Sequence, residues 1–128
     1  MRTEEKEESK CFENKKILDK TRELTALLKE SKMYQDYYKK FMELKKFPDL
    51  YNQLNVFRRK NLELQMQNCT SDYEDKAEEL QKQYTNILME PVVTDFLLAE
   101  QALCRMLREM YDVLYQGIHL DISYMDEE

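Results

Sequence analysis

One glycine, two prolines and no tryptophan in 128 residues leave this chain almost without turn chemistry. A glycine-rich phosphate loop or a ladder of tight hairpins needs residues that tolerate positive φ, and a single Gly117 cannot supply them. No apolar run approaches the roughly 18 to 20 residues of a membrane span. The opening MRTEEKEESK is charged where a signal peptide is apolar, so the expected location is cytoplasmic. Cys11, Cys69 and Cys104 are odd in number, widely spaced and without a CxxC pair, which fits reduced thiols rather than disulfides. The sole histidine, His119, lacks an HExxH context, and neither a GxSxG elbow nor zinc-ligand spacing occurs.

What the chain does have is 42% apolar and 36% charged residues, rich in Leu, Glu, Lys and Gln, the profile of long helices. The expectation is an all-α fold of about five helices, a bundle with one long C-terminal helix. Either it closes one domain or it is a protomer that completes its core by association. Residues 1–12 show no periodic pattern and read as a lead-in, 13–120 as the helical domain, and 121–128 as an acidic tail. Ile17, Leu18, Leu24, Leu27 and Leu28 mark a first helix to about residue 30, with a weak break at Ser31. A second, from about 32 to 46, carries the aromatic face Tyr34, Tyr37, Tyr38, Phe41 and Leu44. Pro48 suits the first turn of a third, through Leu50, Leu54, Phe57, Leu62 and Leu64 to about residue 67. Asn68 to Ser71 reads as a turn, and Ser71-Asp72-Tyr73-Glu74 as a capping box opening a fourth helix through Ala77, Leu80, Tyr84, Ile87 and Leu88.

Pro91 to Ile118 reads as one long helix with too much apolar surface for one neighbour. Val92, Phe96, Ala99, Leu103, Met106, Met110 and Val113 alternate at spacings of four and three, the seam of a helix packed along its whole length. Val93, Leu97, Cys104, Leu107, Tyr111, Leu114 and Ile118 form a second stripe beside it, so more than one helix must cover the face. At 1.5 Å per residue this hub is about 40 Å long. Part of it must close the protomer's own core and part is left for assembly, chiefly Phe96, Leu103, Met106, Met110 and Val113 with Leu97, Leu107 and Leu114 as the second surface.

The segment ILDKTRELTALLKESKMYQDYYK, the Phe47-Pro48-Asp49 restart and above all PVVTDFLLAEQALCRMLREMYDVL resemble the YlbF/YmcA family of small bacterial helical proteins, over about residues 14 to 118. The shared signals are helix, proline and apolar spacing rather than reactive groups. The resemblance implies an all-α protomer that self-associates or joins related helical proteins, a regulatory adaptor without chemistry of its own. It further implies ribonuclease Y as a partner, with effects on mRNA processing, competence, biofilm formation and sporulation. Some relatives are associated with an iron-sulfur cluster through cysteines near the chain end. This chain's tail, HLDISYMDEE, has no cysteine, so cluster ligation is not carried over.

No residue pattern here assembles a catalytic, cofactor or metal site. His119 falls at a helix end, where a cation suits the dipole, and reads as a solvated terminal residue. Cys104 lies on the apolar face, where a free thiol behaves as a small hydrophobe, while Cys69 falls in the turn and is the one expected to be exposed. Glu100 is the one charge in the second stripe and needs a partner, such as a lysine of another helix, or it acts as a specificity device. Between Tyr38 and Lys60, Lys39, Lys40, Lys45, Lys46, Arg58, Arg59 and Lys60 stand against Glu43 and Asp49, in a chain whose net charge is −6. That segment is a candidate patch for an acidic partner. The alternative is an RNA-binding module in which those cations meet phosphates and aromatics stack on bases. An acidic chain whose aromatics recur at helical spacing favours the core reading and disfavours direct nucleic-acid binding.

Overall fold

A computed structural model describes residues 2–67, 72–119, 121 and 123–125. The described chain is helical without strands: α1 (Arg2–Glu30), α2 (Lys32–Lys45), α3 (Pro48–Met66), α4 (Tyr73–Gln83), α5 (Thr85–Leu88), α6 (Pro91–Ile118) and a 3-10 turn at Ser123–Met125. The chain divides into two compact units, Met1–Gln35 and Asp36–Glu128.

In the first unit, α1 begins at Arg2 rather than near residue 13. Glu and Lys are good helix formers, and their spacing sustains a helix even where no apolar stripe exists to signal it. Further along, Arg22 pairs with Asp19 at 2.9 Å and Lys20 with Glu23 at 3.3 Å, each one turn apart on the exposed surface. From Lys6 onward only Leu28 of α1 is even partly covered. The break expected at Ser31 is present and has a local cause. Its hydroxyl accepts from the Tyr34 N–H at 3.2 Å, the capping geometry that starts α2, while the same hydroxyl donates to the Leu28 carbonyl at 2.6 Å.

In the second unit a small core is built where α2, α3, α5 and α6 meet. Leu44, Leu54, Val93 and Phe96 are at most 1% exposed, and Tyr37, Phe41, Leu50, Tyr51, Phe57, Ile87, Leu88, Val92 and Leu97 pack against them. Phe96 is the centre of an aromatic cluster, its ring 5.6 Å from Tyr37 and 5.9 Å from Phe41. Those separations suit the tilted geometries that aromatic quadrupoles favour.

The helix starts follow from proline. Pro48 and Pro91 each occupy the first turn of their helix, where a missing N–H costs nothing. Thr94 Oγ1 also donates to the carbonyls of Leu88, at 3.0 Å, and Glu90, at 3.1 Å, tying α6 to the turn before it. The single fourth helix expected from periodicity is broken at Tyr84, whose φ and ψ are −110° and 16°. The cause is tertiary. Tyr84 sets its ring 5.4 Å from Phe57, and its hydroxyl accepts from Lys60 Nζ at 3.1 Å. The expected turn at Asn68 to Ser71, with the Ser71 cap, lies outside the described residues.

Candidate interaction surface

The hub helix divides into two regimes. Over its first three turns Val93, Phe96 and Ala99 are buried and Val92, Leu97, Glu100 and Leu103 partly covered. Val93, placed by spacing in the second stripe, is thus more deeply buried than Val92 of the seam. Beyond Leu103 the same two stripes continue into solvent. Met106, Leu107, Tyr111, Val113, Leu114, Tyr115 and Ile118 are exposed, Val113 at 69% and Ile118 at 67%, and only Met110 is partly covered.

Tyr111, Leu114, Tyr115 and Ile118 border an apolar depression of about 270 Å³, with the Tyr111 and Tyr115 rings stacked 6.4 Å apart. Gly117 lies on the same face, and a Cβ built there meets open space. Cys104 is exposed rather than covered as a small hydrophobe, because it sits at the rim where the core ends. Cys11 is exposed as well, and Cys69 lies outside the described residues.

Glu100 marks the boundary between the two regimes. Its carboxylate pairs with Arg58 of α3 rather than with a lysine, and the Arg58 guanidinium lies 5.6 Å from the Phe96 ring centroid. The side chains are 23% and 40% exposed, so solvent screens the pair and the cost of desolvating it is modest. A planar guanidinium can stack on the ring and bind the carboxylate at once, which an ammonium does less well.

The basic segment is partly consumed in the same way. Lys40 Nζ approaches Asp95 at 4.0 Å, Lys45 lies 5.1 Å from the Phe41 centroid and 5.8 Å from that of Tyr51, and Lys60 meets Tyr84. Lys39, Lys46 and Arg59 are exposed and form no ion pair with another described residue. The seven cations therefore do not share one role. Four contact the domain's own rings and carboxylates, Lys45 and Lys60 from exposed positions, and three are exposed without an ion pair to another described residue.

At the end of α6, His119 adopts φ 56° and ψ 43°, and its backbone N–H donates to the Tyr115 carbonyl at 3.0 Å. This is a left-handed helix cap held by a residue other than glycine, and the side chain is exposed. Past it, the Ser123 hydroxyl donates to Asp121 Oδ1 at 2.7 Å and the Ser123 N–H to the same oxygen at 3.0 Å. Together they hold the Asp121 carboxyl below its ordinary range. Among the described residues no group of three or more His, Cys, Asp or Glu side chains is placed to hold a metal, and no helix is long and apolar enough to cross a membrane.

The second unit is thus a helical domain in which α6 leaves the core about halfway along and four of the seven cations of the basic segment contact the domain's own side chains. The comparisons give the family. Residues 17–119 match the family described as Control of competence regulator ComK, YlbF/YmcA, and the chain belongs to it. That span takes in all of α6 and its cap His119, the distal face included. The chain is also similar to the UPF0342 protein STH1710 of Symbiobacterium thermophilum, at 23% identity over 110 residues, covering 84% of this chain and 98% of that protein. No solved structure is a significant match.

Proposed function

We propose that this protein is a non-enzymatic regulatory adaptor of the cytoplasm, acting by protein-protein recognition, and that it assembles with itself or with related helical proteins. The observation that carries the reading is the exposed distal face of α6. Large contiguous apolar patches are uncommon on monomeric proteins and mark interaction sites. Family membership supports a regulatory role, and ribonuclease Y is the partner that the family resemblance nominates. Regulation by such a protein is differential binding: it biases whichever conformation or location of its partner it holds more tightly.

Light scattering on the eluting protein across micromolar concentrations tests the assembly. The expected mass is at least twice that of one chain. Met106→Glu or Leu114→Glu should lower the mass to one chain while helicity is retained, because a charge on this face penalises association more than folding. A stable single chain at all concentrations removes the assembly reading. Binding of purified ribonuclease Y, measured with and without Leu114→Glu, tests the partner separately. An RNA-binding module finds less support, because Lys40, Lys45, Arg58 and Lys60 are engaged within the domain. A steep salt dependence of RNA affinity that is lost on changing Arg58 and Arg59 to Glu would reverse that preference.

A further inference from the structure

The outer side of α2 carries exposed apolar groups and exposed cations together, in a chain that is acidic as a whole. Within the second unit Tyr38 and Met42 lie about one turn apart on this helix and are 52% and 44% exposed, while Tyr37, Phe41 and Leu44 turn the other way into the core. Lys39 and Lys46 are exposed and form no ion pair with another described residue, although Glu43 lies within about a turn of both. Lys45 is exposed as well, its ammonium resting between the rings of Phe41 on α2 and Tyr51 on α3. We infer that this side of α2 is a docking surface for an acidic amphipathic helix of a partner protein. This deepens the adaptor reading and rests on it.

The geometry of the face sets what fits. At 100° per residue Tyr38 and Met42 stand about 40° apart around α2, with Lys45 about 20° to one side of Tyr38 and Lys39 about 60° beyond Met42. An apolar ridge therefore runs between two basic margins. Lys46, whose N–H still donates to the Glu43 carbonyl at 3.2 Å, carries the Lys39 margin into the following turn. Lys39 and Lys46 are about 10 Å apart along the axis, and carboxylates seven residues apart on a helix laid along α2 have the same spacing. An extended strand presents its same-side carboxylates about 7 or 13 Å apart and matches less well. The ridge between the lysines takes the apolar stripe of the docked helix.

Charge selects an acidic partner, and a short one. From Tyr38 to Phe47 four lysines stand against Glu43 alone, and Lys40 of the four is taken by Asp95. The whole chain is −6, so RNA or an anionic membrane is repelled at long range, whereas a short acidic helix meets the remaining three lysines within a Debye length of about 8 Å. Tyr38 and Met42 add an apolar contact that a phosphate backbone leaves unused. A face about two turns long places the complex in the transient class, below about 1,200 Å² of buried surface, where binding and release are both fast.

The test exposes the full chain to a library of displayed random peptides of about 16 residues, and the enriched peptides are synthesised and measured by fluorescence anisotropy. The expected sequences carry Asp or Glu at helical spacing beside Leu, Phe or Trp. Lys39→Gln with Lys46→Gln should weaken their binding about fivefold, the worth of two exposed ion pairs, and Met42→Ser by a similar factor. Raising the salt to about 0.5 M should weaken it further. Circular dichroism checks that each variant keeps its helicity, and the charge-matched control Lys82→Gln with Arg108→Gln should change affinity by less than about twofold. Enrichment of no peptide, or of neutral or basic ones, overturns the inference, as does an equal loss in the control. Acidic peptides whose Glu and Leu alternate with a period of two overturn the helix. Tighter binding of a short single-stranded RNA or of phosphatidylglycerol vesicles, weakened by the same two lysine changes, overturns the protein partner. Peptides that ignore Lys39, Lys46 and Met42 but are lost with Leu114→Glu overturn this face and leave the adaptor reading standing.

Discussion

The two halves of α6 carry the same periodic pattern and meet opposite fates. From Pro91 to Glu100 the helix is seated on α2, α3 and α5, with Phe96 packed among Tyr37, Phe41 and the Arg58 guanidinium. From Met106 to Ile118 equally apolar residues face solvent, Met110 alone being partly covered. Apolar periodicity therefore states that a face will be covered and leaves open by what. The partition is set by where the short helices run out, and the Arg58–Glu100 pair stands at that point.

The sharpest break of this comparison is Phe96→Ala set beside Leu114→Ala, both measured by denaturant unfolding at concentrations where the chain is dissociated. The first should cost about 3 to 5 kcal/mol, the usual loss for a buried aromatic, and can unfold a core this small. The second should change stability by less than about 0.5 kcal/mol, as at other exposed positions. Equal losses would show that the distal half is seated in the chain's own core.

A double-mutant cycle on Arg58→Ala and Glu100→Ala should give a coupling of about 1 kcal/mol, reduced from the buried-pair range because both side chains reach solvent. A coupling near zero would demote the pair from a boundary to a surface contact. His119→Gly relieves a left-handed backbone and should raise stability by about 1 kcal/mol, read as an increase in melting temperature. The smallest effect concerns pH. The Asp121 carboxyl is held below its ordinary range by the Ser123 hydroxyl and N–H, so the turn is fully supported above the ordinary value of 3.8. The support is lost as pH falls through the lower folded value. Amide exchange at Ser123 should accelerate there, and exchange that ignores this range would remove the link.

Much of the fold was legible in the sequence because its punctuation is local. Pro48 and Pro91 fix helix starts through their own rings, Ser31 caps through its own hydroxyl, and α6 keeps the bounds its periodicity predicts. What was not legible depends on distant residues. Tyr84 breaks its helix to reach Phe57 and Lys60, and Glu100 takes Arg58 from far upstream. Lys40, Lys45 and Lys60 looked like parts of one basic patch until their rings and carboxylates were in view. Val93 and Val92 differ by a single step around the helix, and no spacing rule distinguishes which of two adjacent stripes faces a core that other helices assemble.

The seated half of α6 has a consequence for the free half that concerns angle rather than energy. A continuous α-helix advances 100° per residue, so clamping Phe96 and Glu100 against α2 and α3 fixes the compass bearing of Leu107, Met110 and Leu114. One residue inserted near Gln101 would leave the core untouched and turn the whole distal face by about 100°, while seven would bring it back to within about 20°. The shorter helices α2 and α3 thus aim α6.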